Sequence, residues 1–351
     1  MNTQIEMPSN FSLLKLYKLM EISRAKKCAY AWADTVCINK ESSAELDESI
    51  RSMFAWYRDS RICIVHLGAT AHYVDMQYDP WFTRGWTLQE LLAPRRLVFY
   101  SQLWNQITTR DSEKYPAERV AKLGKSKGGE EEDSLWSLIA KITGIDVKDL
   151  HNFTPGLQDI GKRLSWASRR TTTRIEDMAY CLIGIFDINL SIAYGEKERA
   201  FYRLQVEILQ NKNDMSLFDW RGEASTYNSM LAASPECFSK RFGLRRYKSL
   251  LFGGDPTFTL TNVGVRMSQV VHQLGENSAP PSWKTPGATA FSILGATSTP
   301  GYYIIMILRR IVEEEEEEGE GDHRQYERLK LVEDSLDLDS YEKESEVIFI
   351  R

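Results

Sequence analysis

Residues 42–67 read SSAELDESIRSMFAWYRDSRICIVHL, and this stretch decides the fold class of the chain's first part. Ser42-Ser43-Ala44-Glu45 is a capping-box pattern, in which a hydroxyl and a carboxylate satisfy amide groups left open where a helix starts. Behind it Leu46, Ile50, Met53, Phe54 and Tyr57 recur at i, i+4, i+7, i+8 and i+11, the apolar face of an amphipathic helix. Ile62 to Leu67 follows as a short apolar run of buried-strand type.

The same alternation extends outward. Upstream, Leu13, Leu16, Tyr17 and Met20 fall at helical spacing behind Asn10 or Ser12 as a cap, and the aromatic-rich run Cys28 to Asp34 reads as a strand. Downstream, Trp81 to Leu92 reads as a helix stopped by Pro94, and Leu97 to Tyr100 as another strand. Strands separated by helices of this length predict a parallel sheet covered on both faces. Residues 1–110 are therefore expected to form an α/β core.

Residues 111–220 change character. A polar loop, Gly124 to Asp133, precedes a short helix around Leu135 to Ile142. Thr173-Arg174-Ile175-Glu176 repeats the capping-box pattern ahead of Met178, Ala179, Leu182, Ile183 and Phe186, and Glu196 to Gln210 reads as a further helix. Residues 221–351 read as β-rich, with runs at Thr257–Leu260, Val263–Met267 and Tyr302–Leu308 and an acidic loop at 313–321.

Bulk composition narrows the function. With 351 residues, 42% hydrophobic and 26% charged, the chain can bury a sizeable core. A net charge of −5 argues against a nucleic-acid partner held by overall charge. No basic leader followed by an apolar run opens the chain, and no stretch approaches the ~20 apolar residues a membrane span needs. Five widely spaced cysteines (Cys28, Cys37, Cys63, Cys181 and Cys237) predict free thiols in a reducing, cytoplasmic setting.

Three motifs fail on inspection. Gly124-Lys125-Ser126 lacks the first glycine and the leading strand of a phosphate loop. Cys63 and His66 have zinc-ligand spacing without a second pair, so no metal is expected. No G-x-S-x-G elbow is present. Three constellations remain. Trp86 and Glu90 lie one helical turn apart, and a carboxylate beside large rings loses solvation and gains proton affinity; alternatively the rings are core and Glu90 is an ion-paired surface residue. Asp34 closes the first predicted strand, where α/β sheets bind ligands, or else caps the following loop. Arg169, Arg170 and Arg174 precede a helix N-terminus and form a candidate anion site, with internal salt bridging to Glu176 and Asp177 favoured over it.

Taken together, the chain resembles the heterokaryon-incompatibility (HET) domain of filamentous fungi. The resemblance runs from residue 11 to about 220. It is carried by Tyr30 to Lys40 with Ser42 to Leu46, by Ser52 to Asp59, by Trp81 to Arg95, and by Ser165 to Asp187 with Tyr194-Gly195-Glu196. Leu231 to Pro235 and Leu260 to Gly264 resemble the β-rich region that often follows this domain. The resemblance implies an effector of cell death in fungal non-self recognition, partnered by itself, by similar domains or by a separate sensor protein. It also implies an architecture similar to the Toll/interleukin-receptor (TIR) fold, whose enzymatic members cleave NAD. Their catalytic glutamate sits in a W-C-x-x-E-L helix, and Trp86-Thr87-Leu88-Gln89-Glu90-Leu91 has that layout. On this resemblance Glu90 is the catalytic candidate and Asp34, Arg84 and Trp86 are the substrate-binding ones, with NAD as substrate and no cofactor. The family typically opens with a strand and a Y-A-x-L-S-H-T-W loop that this chain lacks, which is expected to leave edges in the sheet. Val36 and Asn39 stand where the family often has a cysteine and an acid. A non-enzymatic adaptor and an inactive truncated copy are the alternatives.

Overall fold

The computed structural model describes residues 11–107, 112–114, 130–243, 258–274, 280–296, 302–311, 325–335 and 343–350. The chain divides into two units, residues 1–154 and 155–351.

The first unit opens with α1 (Phe11–Ala25). Its last turns bring Ile22 onto Val98 and Tyr100, whereas Leu13 and Met20 stay exposed, so the predicted apolar face is only partly used. Lys27 takes a left-handed turn (φ 58°), and the stretch after it corrects the sequence reading. Residues 28–33 form no strand, and Asp34 starts a short helix, α2 (Asp34–Cys37), instead of ending a strand. The reason is tertiary. Trp32 packs its ring against Trp56 and Tyr57, at 5.2 and 5.6 Å between centroids, and aromatic residues favour strands only where a pleated neighbour receives them.

The helix predicted from residues 42–57 is α3 (Ser43–Asp59). Ser42 Oγ accepts the Glu45 amide at 3.3 Å, as a cap should, but the Glu45 carboxylate takes the Asn39 amide at 2.9 Å. Ile50, Met53 and Phe54 are buried, each burial contributing about 1.5–3 kcal/mol. Then come β1 (Cys63–His66), α4 (Thr87–Leu92), β2 (Arg96–Tyr100) and β3 (Ser112–Glu113). β1 and β2 pair in parallel from Cys63–Leu97 to His66–Tyr100, and β3 joins β2 antiparallel. The sheet order β1-β2-β3 places β1 at an edge among the described strands.

The single helix read over Trp81–Leu92 is two pieces. Asp79 accepts the Trp81 amide at 3.0 Å and starts a 3-10 turn, Pro80–Thr83. The Thr87 hydroxyl then bonds the carbonyls of Trp81 and Arg84, taking up groups that a continuous helix would use, and the chain restarts as α4. Trp86, at the α4 N-cap, still stands one turn before Glu90. The unit ends with α5 (Glu130–Thr143) and α6 (Val147–Asn152), across which Trp136 and His151 meet at 4.9 Å. Glu130 to Asp133, read as loop, is helix; Gly124 to Gly129 lies outside the described residues.

The second unit begins with α7 (Ile160–Ala167), α8 (Asp177–Tyr180), α9 (Ile183–Phe186) and α10 (Arg199–Asn211). α7 approaches the chain at Ser216 so closely that a Cβ on Gly161 would sit 2.4 Å from the Ser216 carbonyl oxygen. The predicted cap at Thr173 does not form. Glu176 Oε1 reaches forward to the amides of Gly195 and Lys197, at 2.7 and 3.1 Å, because the turn ahead of α10 needs an acceptor. For the same reason the last helix starts at Arg199, not Glu196.

A hairpin of β4 (Ala224–Ser225) and β5 (Asn228–Ala232) is tied to α10 by the buried Gln205 amide. It donates to Ala232 O and accepts from Ala232 N, as a neighbouring strand would. The β-rich region follows as β6 (Phe258–Leu260), β7 (Val265–Gln273), β8 (Ala290–Ala296), β9 (Tyr302–Ile311), β10 (Gln325–Ser335) and β11 (Lys343–Ile350). β7 to β10 form an antiparallel meander; β11 pairs with β7 along its length and meets β10 at Gln325–Phe349 and Tyr326–Ile350, closing the ring. Trp283 covers one face with Phe291, Ile305 and Ile307, its indole donating to Asp334 at 3.0 Å. The acidic run at 313–318 lies outside the described residues. All five cysteines are free, and no helix among the described residues is long and apolar enough to cross a membrane.

Candidate functional site

Glu90 is the centre of a side-chain cluster in the first unit. It projects from α4, half-buried, and Oε2 accepts the Trp81 indole N–H at 2.9 Å. Trp81 is itself buried, its ring meeting Phe82 and Phe99 edge-on at 5.0 and 5.9 Å. Tyr57 of α3 stands near enough for Glu90 and the phenol to act on one another's proton affinity. Trp32 backs Tyr57, and Asp34 stands near enough for its charge to act on both Tyr57 and Glu90.

Burial raises the Glu90 carboxyl above the ordinary glutamate value, and the Asp34 charge adds to the rise. The Trp81 hydrogen bond, the Arg84 charge and the nearby Tyr57 hydroxyl oppose it. Tyr57 is pushed well above the usual phenol value, first by burial and then by the charge of Glu90, so it stays a donor. Next to this cluster, Lys114 is buried and donates from Nζ to the carbonyls of Leu91 and Leu92 at 2.6 and 2.7 Å, at the end of α4. Burial pushes its amine down to about 7. Burial also raises the Cys63 thiol, as does the Glu90 charge.

The four residues predicted for one site thus fall on one short stretch and one neighbour: Arg84, Trp86 and Glu90 around the start of α4, and Asp34 at the start of α2. Arg84 and Asp34 are exposed and Trp86 is half-buried. Sequence reasoning missed Tyr57, which it assigned to the apolar face of α3, and Trp81, which it took for core. The available signal was that both carry a polar donor, which when buried needs an acceptor. Asn39, which replaces the family's acid, accepts the Glu41 amide at 3.1 Å in a local turn. His66 stacks on Trp104 at 4.0 Å, a structural contact.

In the second unit the three candidate anion ligands face different surroundings. Arg169 is exposed, Arg170 is buried with Nε on the Trp166 carbonyl at 3.3 Å, and Arg174 lies over the Tyr194 ring at 4.2 Å. The acids after them are engaged by the 194–197 turn: Tyr194 donates to Asp177 at 2.8 Å while Glu176 holds the Gly195 and Lys197 amides.

Residues 2–78 match the family model described as Heterokaryon incompatibility protein (HET). The first unit is thus similar to the HET family over those residues. The match includes Asp34 and Tyr57 and stops before Glu90. The vegetative incompatibility protein HET-E-1 of Podospora anserina is 40% identical over 204 residues, which are 55% of this chain and 13% of that protein. The chain therefore aligns with a small part of a much longer relative. No solved structure matches the chain.

Proposed function

We propose that this HET chain acts in fungal vegetative incompatibility as a cytoplasmic effector of cell death, by cleaving NAD at the Glu90 site. The observation that supports the reading is a half-buried carboxylate held by the Trp81 indole N–H, beside a second acid and large rings. In this reaction water replaces nicotinamide at C1′ of the attached ribose: the C1′–N bond breaks, a C1′–O bond forms, and one proton is released. The nicotinamide nitrogen keeps the bonding pair, leaving an oxocarbenium-like ribosyl cation on the way. Glu90 stabilises that cation or orients the ribose hydroxyls, and Asp34, Arg84 and Trp86 line the approach. Nicotinamide is a good leaving group, so no separate acid has to protonate it.

Nicotinamide release by the purified chain tests the reading. Wild type is expected to release it and Glu90→Ala to lose it by at least about a hundredfold; equal release by both, at equal folding, sinks the proposal. A second reading, a self-associating adaptor without catalysis, is favoured by the exposed apolar side chains of Leu13, Met20 and Val36. It predicts an intact incompatibility phenotype in Glu90→Ala and its loss when those exposed residues are made polar.

A further inference from the structure

Trp81 reaches Glu90 only because the helix between them is broken. On an unbroken helix, two residues at this spacing stand about 13.5 Å apart along the axis and on opposite faces. Here the indole N–H lies 2.9 Å from Glu90 Oε2. Two clamps fold the chain back. The buried Asp79 carboxylate accepts the Trp81 amide at 3.0 Å and ties it to the Ala69 amide and the Thr70 hydroxyl, each at 2.9 Å. On the other side, the buried Thr87 hydroxyl bonds the Trp81 carbonyl and, at 2.8 Å, the Arg84 carbonyl. The main chain of Trp81 is thus fixed at both its amide and its carbonyl, while Phe82 and Phe99 meet its ring edge-on.

We propose that Trp81 is the positioning residue of the Glu90 site: its indole N–H holds Oε2 and so presents Oε1 to a ligand, and the Asp79 and Thr87 clamps aim the indole. The role rests on the reading of Glu90 as the working carboxylate. The terminal torsion of a glutamate has only a shallow preference, so without a fixed donor the two oxygens exchange places. Packing a ring against Phe99 of β2 needs no break in the helix; bringing the Trp81 N–H onto the Glu90 carboxylate does. The titratable and charged groups that act on Glu90 are Asp34 on α2, Tyr57 on α3 and Arg84 ahead of α4, and its own charge reaches Cys63 on β1. The indole does not titrate, so Trp81 remains a donor at every pH at which the carboxylate forms.

The test uses the full chain. Trp81→Phe keeps a ring and removes the N–H; Thr87→Val removes the hydroxyl clamp at nearly constant shape, and Thr87→Ser keeps it. Glu90 titration is followed by its carboxyl infrared band, assigned by the difference from Glu90→Gln, and nicotinamide release is followed against pH in parallel. Trp81→Phe is expected to raise the titration midpoint by about one pH unit and to lower kcat about tenfold with KM little changed. Thr87→Val is expected to move both the same way by less, and Thr87→Ser to keep the wild-type values. A folded Trp81→Phe chain with an unmoved midpoint or an unchanged kcat overturns the proposal. Should it not fold, an unmoved midpoint in Thr87→Val does so. Should neither fold, the wild-type Trp81 indole proton resonance decides, and one that does not shift through the Glu90 midpoint overturns it. The infrared midpoint needs no turnover. Absence of release in wild type therefore counts against NAD cleavage, while the band still reads the hold of Trp81 on the carboxylate.

Discussion

Both units bury charge, and they do so by opposite means. In the second unit Arg328 is 3% exposed and donates to the carbonyls of Phe218 and Trp220 at 2.9 and 2.8 Å, its guanidinium 3.7 Å from the Trp220 ring centre. The neighbouring Asp219, fully buried, accepts the amides of Phe242 and Gly243, each at 2.8 Å. Main chain supplies the partners of both Arg328 Nη atoms and of both Asp219 oxygens, so neither side chain can be redirected without moving the fold. Glu90 accepts instead from a side chain, the Trp81 indole, with a like charge nearby. A charge bonded by backbone belongs to the scaffold, whereas one bonded by side chains can exchange a partner for a ligand. The contrast separates a structural ion from a candidate catalytic one, although both lie beside tryptophan.

The contrast fails most visibly if Arg328 is expendable. Arg328→Met is expected to destabilise the second unit by about 3–5 kcal/mol, since it leaves Asp219 and two carbonyls buried without their cation. Hydrogen exchange of the β10 amides in the full chain reads this, and unchanged protection would break the comparison.

Lys114 is an intermediate case, bonded by backbone yet beside the Glu90 helix. Its folded value, about 7, lies below the ordinary lysine value of 10.5. The unfolded chain therefore binds the extra proton between those limits, and stability rises as pH climbs from 7 towards 10.5. Below pH 7 the burial penalty is fully present. A gain of roughly 2 kcal/mol across the window is expected in the urea midpoint of the first unit, and Lys114→Met should flatten it. A slope that survives the substitution assigns it to another group.

The smallest effect falls on Glu90. Its folded value is raised, so its contribution to stability falls as pH climbs from the ordinary glutamate range through that raised value. Glu90→Gln, an amide of the same shape that can still accept from Trp81, is expected to be more stable than wild type at pH 7, with the gap narrowing towards pH 4. Equal stability at both would place Glu90 with Arg328, as an ion the scaffold has fully accommodated.

Much of the fold was legible in local pattern. The α3 face, the β1 and β2 runs, the end of α4 before Pro94 and the β7 and β9 runs follow from periodicities that neighbouring residues decide among themselves. What went astray involved partners distant in sequence. Trp32 meets Trp56 and Tyr57, and Glu176 meets the turn at 195–197, so neither the strand predicted at 28–34 nor the cap at Thr173 forms. The site shows the same division. Trp86 and Glu90 stand out because i and i+4 share a helix face, but no spacing links Tyr57 to Glu90 across 33 positions.

By itself, the sequence determined a first region similar to HET domains with a parallel strand pair, a β-rich end, and Glu90 one turn after Trp86. Only the tertiary structure decided that β11 closes a ring against β7, and that the Glu90 carboxylate takes the Trp81 indole N–H. Periodicity records which face of an element is buried. The partner that meets that face is chosen by packing and by the need of every buried polar group for a mate, and residues far apart in the chain settle both together.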